Sequence, residues 1–527
     1  MNTSKLLIGF LILILVNACY KDKGNYDYKN VNDFEVTVTP APVNTETNIY
    51  MVNQPGLVAD TFRLVAEGKQ TLNSSEDNLE YIWYRTLSVE KKEISSDTIY
   101  GKENLMELPA TKKSEWKILL VVRDKNMNLE YYKSMTVKTK VPFYNSWLFV
   151  HGADGKRKLG ALSWDEAGNA EVVPDIMEAM GQPGYPHMTN ITYASNGGQY
   201  PEYERLFIIS APDSVTYTYP FTCKVIGRQF QMGIPYNIKI QKIYTPRVCW
   251  NSLLGLVTAD GKLYTSTQAI PEFEEATGNV LPNYNIDLAY INRDGEMTMW
   301  DNTNKRLMYY IDGEFDYMGT LGDKDLLGKK ALWLGRDAQT VTDNAEPSLL
   351  IAKNENNDKC YLYHITYDND KGGKITKGDD GKGDGEDGGK DEYALGVVTC
   401  DSTHNWGFTE NTLFAISDYF ADQLFFTEGN TVYRGLIADG DKIKLYKATG
   451  TIKKMAFRYT NYSTEKKYNS NMQILSMVVT NADGTDEIHE IHLSNGGDVE
   501  EEHVYDLGNI SIIDWSFSEL CGDPDLR

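Results

Sequence analysis

Cysteine, histidine, basic charge and long apolar runs are all scarce in this chain. Six cysteines occur in 527 residues, at positions 19, 223, 249, 360, 400 and 521. None forms a C-x-x-C pair, which excludes the thioredoxin-type redox motif and the zinc ribbon. Setting Cys19 aside leaves an odd number, so no complete disulfide framework exists. The remaining thiols read as small buried apolar residues, with the pairings Cys223–Cys249 and Cys360–Cys400 left open. Lysine and arginine total 52 against 75 aspartates and glutamates, a net charge of −23. Such a surface repels nucleic-acid phosphates and anionic headgroups, so nucleic acid is excluded as a partner. A spanning helix needs roughly 20 apolar residues, and the N-terminal run Leu6–Val16 falls well short. No G-x-S-x-G nucleophile elbow occurs. Helical periodicity is confined to two short candidates, DIMEAM (175–180) and NTLFAISDYFADQLF (411–425).

What is present begins at the N-terminus. Lys5, the short run Leu6–Val16 and the small-residue boundary Asn17-Ala18 have the shape of an export signal over residues 1–18. Cys19 follows at the cut. It resembles the lipobox cysteine of bacterial lipoproteins, acylated on its thiol to become the new N-terminus, although Val16 and Asn17 depart from the usual residues. Several acyl chains on one residue hold a protein firmly to a membrane. Lys21-Asp22 resembles the signal that sends lipoproteins of Bacteroidota to the outer face of the outer membrane. Residues 19–30 are polar and form a flexible tether.

Residues 31–141 read as a small β-sandwich. LEYIWY (79–84) alternates, with Leu79, Tyr81 and Trp83 on one face. A strand from Trp116, a turn at 124–128 and a strand through Val137 supply the paired C-terminal hairpin of an immunoglobulin-like domain. From 142 to 527 short strands follow one another. Asp-Gly recurs at 154–155, 260–261, 294–295, 312–313, 439–440 and 483–484, and Asn-Gly at 196–197 and 495–496. Both dipeptides supply the positive φ of tight hairpin turns. The length exceeds one sandwich, and radial repetition of four-stranded sheets accommodates it. The fold class is therefore all-β, a sandwich followed by a β-propeller of seven or eight blades. Residues 368–392 are almost wholly Gly, Asp and Lys, and read as a disordered acidic loop.

Several apparent motifs do not survive their own chemistry. Gly383 to Gly388 fits G-x-G-x-x-G but lacks the strand, the helix and the tolerance for phosphate that the fingerprint requires. In an EF-hand frame starting at Asp380, Lys382 occupies a ligand position. His489-Glu490-Ile491-His492 has three-residue spacing rather than the four of H-E-x-x-H. On a strand, those two imidazoles point to opposite faces, so one metal cannot take both; His503 could join either. No metal and no cofactor is expected. The acidic clusters at 201–204, 271–278 and 498–503 read as solvated surface. With 35 tyrosines and 9 tryptophans, aromatic faces are available for sugars or peptides. Trp164, Trp300 and Trp406, near turns or breaks, are the candidate ligand contacts.

CYKDKGNYDYKNVNDFEVTV, NLEYIWY and the segment from Trp116 through Leu162 together resemble the PKD-like family lipoproteins of Bacteroidota. Asp22 to Tyr28 matches the family's opening pattern, while Ser146 stands where that family usually has Gly before Trp147. The resemblance implies a non-catalytic accessory lipoprotein of the outer membrane. It would face the outside and bind extracellular nutrient, glycan or peptide, beside a SusC/SusD-type transporter. Two alternatives stand with it: a propeller hydrolase or lyase acting on an extracellular polymer, and a purely structural partner of the transporter.

Overall fold

The computed structural model describes residues 34–42, 49–52, 61–71, 77–89, 92–94, 99–101, 104–109, 114–139, 143, 145–164, 169–195, 204–210, 214–220, 223–246, 253–267, 271–292, 295–318, 326–337, 347–356, 359–365, 399–402, 406–458 and 471–518. Cys19, Lys21, Asp22, the tether, and the loop 368–392 with its glycine and EF-hand frames lie outside these residues. The chain divides into two compact units, Met1–Val52 with Thr61–Thr139, and Asn53–Asp60 with Lys140–Arg527. No helix among the described residues is long and apolar enough to cross a membrane.

Among the described residues, the first unit contains two sheets. One pairs β1 (Phe34–Thr39), β3 (Thr61–Gln70) and β7 (Leu105–Pro109) in the order β1-β3-β7. The other runs β2 (Ile49–Val52), β9 (Leu129–Thr139), β8 (Ser114–Asp124), β4 (Leu79–Val89) and β5 (Lys92–Ile94), with β6 (Ile99–Gly101) also on β4. Alternation on β4 places Trp83 opposite Leu120 of β8, and both are fully buried. Leu64, Ala66, Met106 and Leu108 of the smaller sheet are equally enclosed. This is the immunoglobulin-like core expected from LEYIWY, built with no disulfide, since the sequence from 20 to 222 holds no cysteine.

Among the described residues, the second unit is a propeller of seven four-stranded blades. Blade 1 pairs β12 (Ala170–Val173), β11 (Lys158–Trp164), β10 (Ser146–His151) and the last strand β37 (Ile512–Ser518). Blades 2 to 7 take their strands consecutively, β13–β16 (188–228), β17–β20 (240–275), β21–β24 (286–317), β25–β28 (329–402), β29–β32 (414–447) and β33–β36 (451–506). The ring is closed by one apolar cluster between each pair of neighbours. Leu148 and Val150 meet Ile191 and Leu206 between blades 1 and 2. Clusters of the same kind join 2 to 3, 3 to 4, 4 to 5, 5 to 6 and 6 to 7. The seventh, around Trp147, Phe149, Val478, Ile488 and Phe517, joins 7 back to 1. Each sheet thus buries both faces against its neighbours, and burial of apolar surface drives closure.

The turns follow the Asp-Gly dipeptides, whereas at Asn495-Gly496 the positive φ falls one residue on, at Gly497, and Asn196-Gly197 lies outside the described residues. The glycines at 155, 261, 295, 313, 440 and 484 all have positive φ. At Asp312-Gly313 both residues do, at 49° and 87°, linking Ile311 directly to its partner Glu314 in a two-residue hairpin. DIMEAM holds a single helical turn, Ile176–Ala179, capped by Asp175, whose carboxylate accepts from the Glu178 amide at 3.1 Å. The stretch 411–425 is not helical. It forms the short strand Phe414–Ala415, turns, and enters the strand Gln423–Glu428. Ser417 makes the break: its hydroxyl accepts from the Tyr419 amide at 3.1 Å and donates to the Met472 carbonyl, local bonds that compete with helix.

Candidate functional site

Six of the seven innermost strands carry a bulge near their start, and the bulges share one pattern. These strands are β37, β13 (Met188–Ser195), β17 (Ile240–Tyr244), β21 (Ile286–Ile291), β25 (Lys329–Arg336) and β33 (Thr451–Phe457). Register shifts fall between Met188 and Asn190, Ile240 and Lys242, Ile286 and Leu288, Ala331 and Trp333, and Ile452 and Lys454. On β37, Val150 pairs with Asp514 and His151 with Ile512. A bulge leaves one residue unpaired and turns the strand, so two consecutive side chains share a side. The segments MTNI, IQKI, IDLA, ALWL, IKKM and IIDW result. Their first and fourth residues are buried, apart from the half-buried Trp515, and the middle two keep some solvent contact. Near the axis the middle pairs meet across blades.

The meeting point is Asp514. Its carboxylate accepts from Lys454 Nζ at 2.9 Å, from the Ile191 amide at 3.0 Å and from Asn190 Nδ2 at 3.5 Å. Two residues on, Ser516 Oγ accepts from the Tyr193 amide at 3.0 Å. On the next strand the Thr192 hydroxyl donates to the Ile243 carbonyl at 3.3 Å. An innermost strand has an open edge, and its backbone groups need partners; side chains of the adjacent blade supply them. Asp514 therefore helps close the ring as well as carrying charge in the channel.

Lys242 lies beside this group. Its side chain is exposed to solvent, yet burial is the main cause holding its ammonium below the usual lysine range. Lys454 lowers it further, and Asp514 opposes the shift. A side chain that reaches solvent while protein surrounds it on its other sides is what a position facing the propeller axis produces. Lys242 Nζ sits 4.9 Å from the ring centre of Tyr244, whose hydroxyl is held protonated above its usual range chiefly by burial, with Asp287 adding to the effect. The channel thus offers ammonium, amide and carboxylate groups from blades 7, 1, 2 and 3 to a polar ligand.

A second cluster occupies the seam between blades 7 and 1. Glu490, on β35 (Asp486–Leu493), accepts from Trp147 Nε1 at 3.1 Å, Ser476 Oγ at 2.9 Å and Arg458 Nε at 2.7 Å, with a further bond from Arg458 Nη2. The Arg458 guanidinium lies 3.6 Å from the ring centre of Trp164, and Trp147 stacks on Trp515 at 3.9 Å. Trp164 is half-buried and donates through Nε1 to the Tyr505 hydroxyl at 3.1 Å. Trp300 is wholly enclosed in the cluster between blades 4 and 5. Trp406 is buried against Phe426 and donates to the Gly440 carbonyl at 2.9 Å. Both are packing residues, which corrects their assignment as ligand contacts: neither has a free face to offer.

His489 and His492 do point to opposite faces of β35. His489 bonds Tyr446 at 2.7 Å and Glu487 at 3.0 Å. His492 faces the other way, its ring 4.9 Å from that of His503 on β36 (Val499–Asp506). The channel residues Lys242, Lys454 and Asp514 escaped the reading of the sequence. The signal that could have found them is the apolar-x-x-apolar tetrad at the start of six of the innermost strands.

Residues 19–197 match the model of the PKD-like family, so the N-terminal part of the chain is PKD-like. No curated protein matches the chain. Among solved structures, it is similar to a quinonprotein alcohol dehydrogenase-like protein from Bacteroides thetaiotaomicron, with 10% identity over 92% of this chain and 99% of that one and a TM-score of 0.39. The WD40 domain of coronin from Toxoplasma gondii is 10% identical over 68% of this chain and 82% of its own, with a TM-score of 0.38. The dihydro-heme d1 dehydrogenase NirN is 7% identical over 69% and 64%, with a TM-score of 0.35.

Proposed function

We propose that the chain is a non-catalytic binding protein, lipid-anchored through Cys19 to the outer membrane. There it would hold an extracellular glycan or peptide for a SusC/SusD-type transporter. The observation that carries the binding role is Lys242, exposed yet near Lys454 and Asp514, with Asn190 bonded to the same Asp514, so that four blades contribute polar groups to a common space. An ammonium there suits a carboxylate or a hydroxyl-rich ligand, because charge-assisted hydrogen bonds strengthen away from bulk water. The anchor and the partner rest on the N-terminal residues and the PKD-like segment. Two experiments test the reading. A pull-down from detergent-solubilised outer membrane should recover a transporter pair; recovery of the lipoprotein alone sinks the partnership. Calorimetry of the full chain against uronic-acid oligosaccharides and acidic peptides should give a ligand whose affinity falls about tenfold or more in Lys242→Ala, the scale of one charged hydrogen bond. Unchanged affinity in that variant removes the channel from the proposal.

One observation favours a second reading. A lysine held below its usual range can serve as a base, and Lys242 has a protonated Tyr244 beside it. That pair suits removal of a proton next to a carboxyl group, as in β-elimination of a uronic-acid polymer. Accumulation of unsaturated product, detected by its ultraviolet absorbance and abolished in Lys242→Ala, would replace binding with lyase activity.

A further inference from the structure

The outer strands of blade 7 bring together three metal-ligating side chains that the sequence keeps apart. On β36, Glu501, His503 and Tyr505 alternate onto one face, as residues i, i+2 and i+4 of a strand must. The antiparallel register sets His492 opposite Glu501 and Glu490 opposite His503, so His492 arrives on the same face. His492 and His503 are half-buried and Glu501 is exposed. One donor atom from each lies within 4.8 Å of the others. His503 Nε2 and Glu501 Oε1 are 3.1 Å apart, already near the roughly 3.3 Å that separates two donors on a tetrahedral ion with bonds of about 2.0–2.2 Å. Only the His492 imidazole has to turn toward the other two.

The surroundings fix the partners. Tyr505, the next residue on that face, is held by Trp164 Nε1 at 3.1 Å, and its ring stacks with that of His503 at 6.2 Å. Trp164 in turn lies against Arg458. The imidazoles therefore stand at the outer end of a packed row, restrained on one side and open to solvent on the other. Two imidazoles and one carboxylate select zinc-type ions over calcium or magnesium, which prefer all-oxygen shells. Three protein ligands leave a fourth position for water or for an oxygen atom of a bound molecule.

We propose that His492, Glu501 and His503 form a binding site for a divalent transition metal of the zinc type on the outer strands of blade 7. The site is separate from the channel and does not depend on the function proposed above. The test is calorimetry of the full chain with zinc chloride, with calcium chloride as the comparison, after chelator treatment and removal of any affinity tag. Cobalt(II) replaces zinc for spectroscopy, because its visible absorption reports nitrogen ligation and coordination number. The expected result is one zinc per chain, no calcium heat, a cobalt spectrum of low coordination number, and at least a tenfold loss of zinc affinity in His503→Ala and in His492→Ala. The exposed His187→Ala, whose ring contacts Asp154, should bind zinc as the unaltered chain does. Unchanged zinc binding in the doubly substituted His492→Ala/His503→Ala chain overturns the proposal, as does the absence of zinc binding by the folded, unaltered protein. Circular dichroism checks that each variant is folded. Should His492→Ala unfold, His503→Ala alone decides, since its ring lies on the outermost strand.

Discussion

Replacing Glu490 by Gln should open the seam that closes the propeller. The carboxylate is fully buried and bonded to Arg458, Trp147 and Ser476, and the Arg458 side chain is only 8% exposed. Glutamine keeps the size and one acceptor oxygen, so Trp147 and Ser476 can still donate. What goes is the charge, leaving the Arg458 guanidinium enclosed without a counter-ion. Removing one partner of a buried pair costs about 3–5 kcal/mol. A unit of roughly 390 residues, Lys140–Arg527, has an unfolding entropy of about 0.8 kcal/mol/K at about 2.1 cal/mol/K per residue. The expected fall in the propeller's melting temperature is therefore about 4–6 °C. Scanning calorimetry measures it. Near-ultraviolet circular dichroism localises it, because the Trp147–Trp515 stack sits in the same seam. The companion variant Arg458→Met/Glu490→Met should recover most of the loss, since replacing both partners of a buried pair by apolar residues is often neutral or stabilising. A shift below about 1 °C in Glu490→Gln would refute the reasoning, and so would a double variant less stable than either single one.

Other outcomes follow from buried titratable groups. Burial pushes the Cys223 thiol up to about 12, so it stays protonated at pH 8, and alkylating reagents should modify it only after denaturant unfolds blade 2. His151 is buried, with Nε2 2.7 Å from the Pro174 carbonyl, and burial holds its pKa below the usual 6.5. The unfolded chain then binds more protons than the folded one between the two values. Stability is lost as pH falls through about 6.5, and the sign follows from linkage. Relative to His151→Gln, the unaltered protein should lose more stability between pH 7 and pH 5; equal losses would mean that this histidine protonates as easily folded as unfolded.

Strands and turns were legible in the sequence because their determinants are local. Asp-Gly fixes a hairpin within two residues, and alternation fixes a buried face within six, as LEYIWY does. The apolar spacing of 411–425 misled because a two-residue strand, a Ser417 turn and a new strand happen to space their apolar residues like a helix. Aromatic residues near turns misled for another reason: proximity to a turn says where the backbone goes, and Trp300 and Trp406 turn their rings inward.

The candidate functional groups were hidden by bulges and by register. A bulge makes residues one and four of a tetrad share a buried environment, a spacing that is neither the strand's two nor the helix's 3.6. MTNI, IQKI and IKKM therefore look unrelated until their strands are seen side by side at the axis. Lys242, Lys454 and Asp514 come from three blades, and only ring closure by the last strand unites them. The same logic operates at blade 7, where His489 and His492 stand close in sequence but on opposite faces, and the register sets His492 opposite Glu501 and so beside His503. In a propeller each blade repeats one backbone plan, so sites arise where that plan puts equivalent positions of different blades face to face. The chemistry is written in the tetrads, and the topology decides which tetrads meet.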